Sequence, residues 1–204
     1  MKKNWLAVIM CIVSVLAVLA FAGCATKAED EKPAASSVLG KDGIPRPDWV
    51  ISDASTAEVH YAAGYGKMSN LQNSIKRAEA EGRNLLAEWV SLAVDEIITS
   101  YTNDAGEGAN RQAMDAFEVV GKQRAQAILS GCTRADMWED AEGGVWVLMS
   151  IPVANVADQM ENAAAEATGA KSDPDYAKNE AAQEANTMMN DAIAKYFGSP
   201  SVTD

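Results

Sequence analysis

Hydrophobic and polar positions alternate along two stretches of this chain and recur at helical spacing along most of the rest. Val59, Tyr61, Ala63 and Tyr65 alternate with His60, Ala62 and Gly64, a period of two that predicts a strand. The period then lengthens. Leu71, Ile75, Ala78, Gly82, Leu85, Leu86, Trp89, Ala93, Ile97 and Tyr101 recur at threes and fours, which predicts one helix over about residues 70–101. Ser69, with Gln72 three residues on, offers a capping box at its start. Gly82 in the apolar face costs helix stability, so another element is expected to pack closely there.

The segment Asn103–Ala109 holds two glycines and ends that helix. A second amphipathic stretch follows from Asn110 through Met114, Phe117, Val120, Arg124, Ala127 and Ile128, and stops at Gly131. Residues 132–139 then lead into Ala141-Glu142-Gly143-Gly144, after which Val145, Val147, Met149, Ile151 and Val153 alternate strictly. Two strands around a glycine-containing turn predict a hairpin.

Beyond Asn155 the chain becomes alanine-rich and poor in large apolar residues. Asp173-Pro174 reads as a fresh helix start, with Ala181, Ala185, Met188, Met189, Ala192, Ile193 and Tyr196 as a weak apolar stripe and Gly198 closing it. This order predicts an α+β fold: a small antiparallel sheet of about three strands packed against long helices, with an additional helical C-terminal tail. The expected divisions are a signal segment at 1–23, a tether at 24–46, the α+β domain at 47–154 and the tail at 155–204.

Composition narrows the function classes. The 29 acidic residues outnumber the 17 basic ones, for a net charge of -12. That balance argues against nucleic acid, whose phosphates need clustered Lys and Arg, and against electrostatic adhesion to anionic lipid.

The amino terminus supplies another route to a membrane. Lys2 and Lys3 precede an uncharged apolar run from Trp5 to Ala22, which ends in Phe21-Ala22-Gly23-Cys24. A basic start, an apolar middle and small residues at the cut make a secretory signal. The ending resembles the bacterial lipobox, with Phe21 where leucine is commoner. Cleavage before Cys24 and a diacylglyceryl group on its thiol, with palmitate-type acyl chains, would anchor the mature chain; an uncleaved anchor helix is the alternative. Ala25 after the cysteine favours the outer membrane in the common proteobacterial sorting scheme. Residues 25–47 are rich in Ala, Lys, Glu, Pro and Ser and read as a flexible tether with an end-to-end distance of about 25 Å. Of the three cysteines, Cys11 is expected to leave with the signal, Cys24 to carry lipid, and Cys132 to remain as a buried small hydrophobe, with a reactive thiol or a pairing between chains as the alternatives.

Three stretches in order resemble the lipoprotein-20 family of bacterial lipoproteins. They are Pro47-Asp48-Trp49-Val50; Tyr61-Ala62-Ala63-Gly64-Tyr65-Gly66 before a helix carrying Ser74, Ala78 and Arg83; and Trp138 ahead of Gly143-Gly144-Val145-Trp146-Val147-Leu148 and Pro152. The resemblance covers about residues 47–153 and departs from the pattern at Gly82, where alanine is expected. It implies a small α+β domain on the outer membrane or cell surface, in a family whose relatives include flagellar basal components and surface antigens. It implies no catalytic residues.

The residues themselves point the same way. Gly64-Tyr65-Gly66 lacks the third glycine of a dinucleotide turn, because Ser69 stands there. His60 is the only histidine, and scattered carboxylates around it specify no metal geometry. A triad on His60 would need a serine and an acid brought close by folding. Glu79, Glu81, Asp136, Glu139 and Asp140 read as a solvated face, with Glu79 and Arg83 as a helix pair. No catalytic, cofactor or metal site is therefore expected. The leading expectation is a non-enzymatic, lipid-anchored envelope protein that binds envelope proteins or itself, with Trp138, Trp146, Met188, Met189 and Ile193 as candidate contacts. The alternatives are a small-ligand carrier or sensor with a pocket between helix and sheet, and a cell-wall hydrolase.

Overall fold

In the computed structural model, which describes residues 38–106 and 110–198, both alternating stretches are strands of one sheet. The expected signal segment, the expected lipid site at Cys24 and the expected tether through residue 37 lie outside the described residues. β1 (Val59–Gly66), β2 (Thr133–Glu139) and β3 (Val145–Pro152) pair antiparallel in the order β1-β3-β2. The β2–β3 turn is held by Asp140, whose Oδ1 accepts from the Glu142 and Gly144 amides at 2.9 and 2.7 Å. The fold is α+β, as the patterning predicts.

Register decides which face meets the helices. Val145, Val147, Met149 and Ile151 are fully buried, and they pair with Gly66, Gly64, Ala62 and His60. The helix-facing side of β1 thus starts at His60 and then carries only the small residues Ala62, Gly64 and Gly66. The bulkier Tyr61, Ala63 and Tyr65 point to the other face.

The reason lies in α1 (Leu71–Ala105). Ser74, Ala78 and Gly82 are buried along its first half, and its backbone comes so near β1 that a methyl on Gly64 would meet the Ala78 carbonyl and the Gly82 amide. Gly82 does admit another element, as expected: a Cβ there would stand 2.6 Å from Met149 Cγ and 3.4 Å from the Ala62 carbonyl oxygen. The helix is capped by Asn70 and not by Ser69; the Asn70 side chain accepts from the Asn73 amide at 2.9 Å. Asparagine is a strong cap, and the extended Asn70 backbone suits the role. Leu71 and Leu85, read as apolar-face residues, are 41% and 38% exposed, while Val90 and Val94 are buried.

At 1.5 Å per residue α1 is about 50 Å long, against about 27 Å for an eight-residue strand. Its second half overhangs the sheet and needs cover. α2 (Arg111–Ile128), α3 (Val153–Ala167) and α4 (Glu180–Gly198) supply it. Phe117, Met160, Ala163, Ala164, Met189 and Ile193 join Leu86, Val90, Val94, Ile97 and Tyr101 in one core.

Two expected divisions are corrected by this packing. The C-terminal helices are not a tail outside the domain: residues 38–198 form one body, because α1 would otherwise expose its apolar second half. Nor does Asp173-Pro174 start the last helix. Asp173 Oδ1 caps a turn by accepting from the Asp175 amide, and Asn179 caps α4 through the Ala182 amide.

The second correction concerns residues 38–46, expected as tether. Leu39 bridges Pro45, and Gly40 donates to the Ile44 carbonyl at 2.8 Å. This strap lies on the outer sheet face, where Trp138 Nε1 donates to the Ile44 carbonyl at 3.1 Å and Lys41 pairs with Glu139 at 3.0 Å. Farther along, Trp49 Nε1 donates to Asp136 Oδ2 at 2.8 Å. The strap covers Trp138 and leaves it 4% exposed. No described helix is long and apolar enough to cross a membrane.

Candidate functional site

The residues that pattern reading singled out do not come together. Trp138, Met189 and Ile193 are buried, at 4%, 1% and 0% exposure. They are corrected from contact candidates to core, because the strap covers the first and α1 covers the other two. Met188 is half-buried against that core. Trp146 is half-buried beside Tyr65, ring centroids 4.9 Å apart. Cys132 is buried as expected; burial pushes its thiol pKa up, opposed by nearby Arg83.

The carboxylates weighed for acid–base work are spread over separate partners. Glu79 pairs with Arg134 of β2 at 3.1 Å and not with Arg83, since the sheet brings a cation over the helix. Glu81 meets Arg77 at 3.6 Å. Asp136, Glu139 and Asp140 hold Trp49, Lys41 and the hairpin turn. Among the described residues no group of three or more His, Cys, Asp or Glu is placed to hold a metal ion.

What the fold does assemble is a groove of about 860 Å³ at the end of the sheet where β1 begins. Its walls are the loop Asp53–Ala57 with His60, the α1 positions from Trp89 to Ser100, and the end of α4 with Lys195, Tyr196 and Phe197. His60 faces the helices through the register already described. Its ring stacks on Trp89, with centroids 4.0 Å apart and planes 13° from parallel. Phe197 meets Trp89 edge-on at 6.2 Å, and Tyr196 meets Phe197 edge-on at 4.9 Å. All four rings are half-buried. Leu92, on the same wall, is 59% exposed.

The loop is built around Ser55. Its Oγ accepts from the Tyr61 amide at 3.1 Å and stands 3.1 Å from His60 Nδ1. Asp53 Oδ1 accepts from the Ser55 amide at 2.8 Å. Hydrogen bonding to Ser55 holds the Asp53 carboxyl below the usual carboxylate range. Burial lowers the His60 pKa, opposed by the charge of Asp53. Burial, and then Glu96, raise that of Tyr196.

Chemically this is a Ser–His contact in which the acid sits on the serine's loop. In a triad the acid orients the imidazole from its far nitrogen. Here the serine hydroxyl is a brace for the strand backbone. The groove is better suited to binding, with stacked rings on one side and carboxylates at the rim.

By pattern alone Trp89 belongs to an apolar helix face, His60 is an isolated histidine and Tyr196 ends a weak stripe. The adjacent aromatic pair Tyr196-Phe197, placed just after Lys195, was the one local signal of an amphipathic edge. Compared with protein-family models, curated proteins and solved structures, the chain has no significant match.

Proposed function

We propose that this chain is a lipid-anchored envelope lipoprotein that acts by binding other proteins and not by catalysis. The signal segment ending at Cys24 supports the anchor, and the three motifs resembling the lipoprotein-20 family support an outer-membrane or surface location. The observation that carries the binding role is the groove between His60, Trp89 and Phe197. Half-buried aromatic rings with polar edges are the side chains that dominate binding energy at protein contacts.

The anchor is tested by labelling cells with radioactive palmitate. Label should enter the wild-type chain and be absent from Cys24→Ser. The groove is tested by a photo-crosslinking residue at Leu92, which is exposed on its wall. A discrete adduct at Leu92, absent from the same probe at Asp158 on the exposed side of α3, is the expected result. Equal crosslinking at both positions would remove the groove from the proposal.

A second reading, a carrier or sensor of a small ligand, is favoured by the groove's volume, which falls in the range of about 300–1,000 Å³ usual for small-molecule sites. Native mass spectrometry of protein purified from its own cells would then show a bound compound.

A further inference from the structure

We propose that the groove takes an extended, basic peptide segment of an envelope partner, with lysine or arginine side chains flanking an apolar one. This rests on the protein-binding reading above and names the chemistry of the occupant. The first observation is charge. Among the described residues, Asp53, Asp95 and Glu96 line the groove against the single ammonium of Lys195. Lys195 reaches Asp104 at 3.5 Å, and Asp95 is engaged by Lys122 at 3.1 Å. Asp53 and Glu96 remain as the net negative pair that faces an occupant, in a chain that is itself acidic. A groove of one sign attracts ligands of the other and focuses their approach.

The second observation is the character of the walls. His60, Trp89, Tyr196 and Phe197 offer apolar and π surface, with Leu92 beside them. Guanidinium and ammonium groups are attracted to aromatic rings, and their alkyl stems cover apolar surface. An acidic peptide or an anionic lipid headgroup would meet the same rings only against carboxylate repulsion.

The third is shape. From Trp89 to Ser100 the α1 wall runs about 16 Å, which matches four or five residues of extended chain. A lone organic cation would fill a small part of it.

The test uses the full-length chain in neutral detergent and two dye-labelled probes, Ac-Lys-Leu-Lys-Leu-Lys-amide and Ac-Glu-Leu-Glu-Leu-Glu-amide, read by fluorescence anisotropy. The basic probe should bind at least about tenfold more tightly than the acidic one. The double variant Asp53→Asn with Glu96→Gln should weaken it by about tenfold, while Asp158→Asn with Glu161→Gln, an equal charge change on exposed α3 positions, should change it less than about twofold. Equal binding of both probes, equal loss in both double variants, or no binding of the basic probe would each overturn the proposal. If the Leu92 crosslink forms while the basic probe fails, the protein-binding reading stands and the basic occupant falls. If both fail, the groove loses both roles.

Discussion

His60 lies flat on Trp89, their centroids 4.0 Å apart, so the first strand and the middle of the longest helix meet through one stacked pair. The contact joins β1 to the overhanging half of α1 and forms part of the groove wall. It also places the only histidine of the chain where protonation opposes burial.

That placement predicts a pH dependence of stability. Burial lowers the folded-state pKa of His60 below its ordinary value of 6.5. Between the two values the unfolded chain binds more protons, so stability rises with pH in that window. The contribution is present above 6.5 and lost as pH falls through the folded value. Asp53, whose pKa is lowered from 3.8, contributes stability lost only at lower pH. Urea midpoints at about pH 7.5 and about pH 5 should differ in the wild type, and the difference should shrink in His60→Phe. An unchanged difference in that variant would assign the pH effect elsewhere.

The close approach of β1 to α1 predicts unequal penalties for two alanine substitutions. On Gly64 a methyl meets rigid backbone at Ala78 and Gly82; on Gly82 it meets mainly the flexible Met149 side chain. Gly64→Ala should cost about 3 kcal/mol or more. Gly82→Ala should cost about 1 kcal/mol, since better helix propensity offsets part of the crowding. Denaturant titration measures both, and equal losses would contradict the geometry.

The strap depends on Trp138, whose Nε1 donates to the Ile44 carbonyl while its ring is buried. Trp138→Ala should lower stability by about 3–5 kcal/mol. It should also speed tryptic cleavage after Lys41, which in the wild type pairs with Glu139. Trp138→Phe keeps most of the buried ring and should lose about 1 kcal/mol, the usual worth of one hydrogen bond. Native cleavage after Lys41 as fast as in the alanine variant would mean that the strap does not bind the hairpin.

Cys132 is buried and its thiol pKa is raised. Because the thiolate is the reactive form, iodoacetamide at about pH 8 should modify it slowly in the folded chain and readily in guanidinium. Mass spectrometry of the peptide containing Cys132 reads both rates. Comparable rates would show the thiol to be open.

Local pattern was enough for some of this. The period of two located β1 and β3, the three-four spacing located α1 and α2, and Gly143-Gly144 located the hairpin turn. Those signals are legible because side-chain alternation and helical turns repeat within a few residues. Gly82 was legible for a related reason: glycine inside an apolar helix face costs stability unless something packs closely there, as Met149 does.

The groove was not legible in this way. Its walls come from residues near 53–60, 89–100 and 192–197, and no spacing rule connects segments so far apart. Ser69 and Asp173 were plausible caps by residue type, yet the backbone entered its helices at Asn70 and Asn179. Met189 and Ile193 have a weak stripe that suits a surface contact as well as a core.

Element type and order were therefore written into the chain, as was its acidic charge. Tertiary structure decided which side of β1 turns inward, because both sides of that strand are apolar enough to be buried and only the glycine side lets α1 approach. It also drew the C-terminal helices into the core, since the overhanging half of α1 had to be covered. In each case the deciding energy was contact between segments distant in sequence, which no local period encodes.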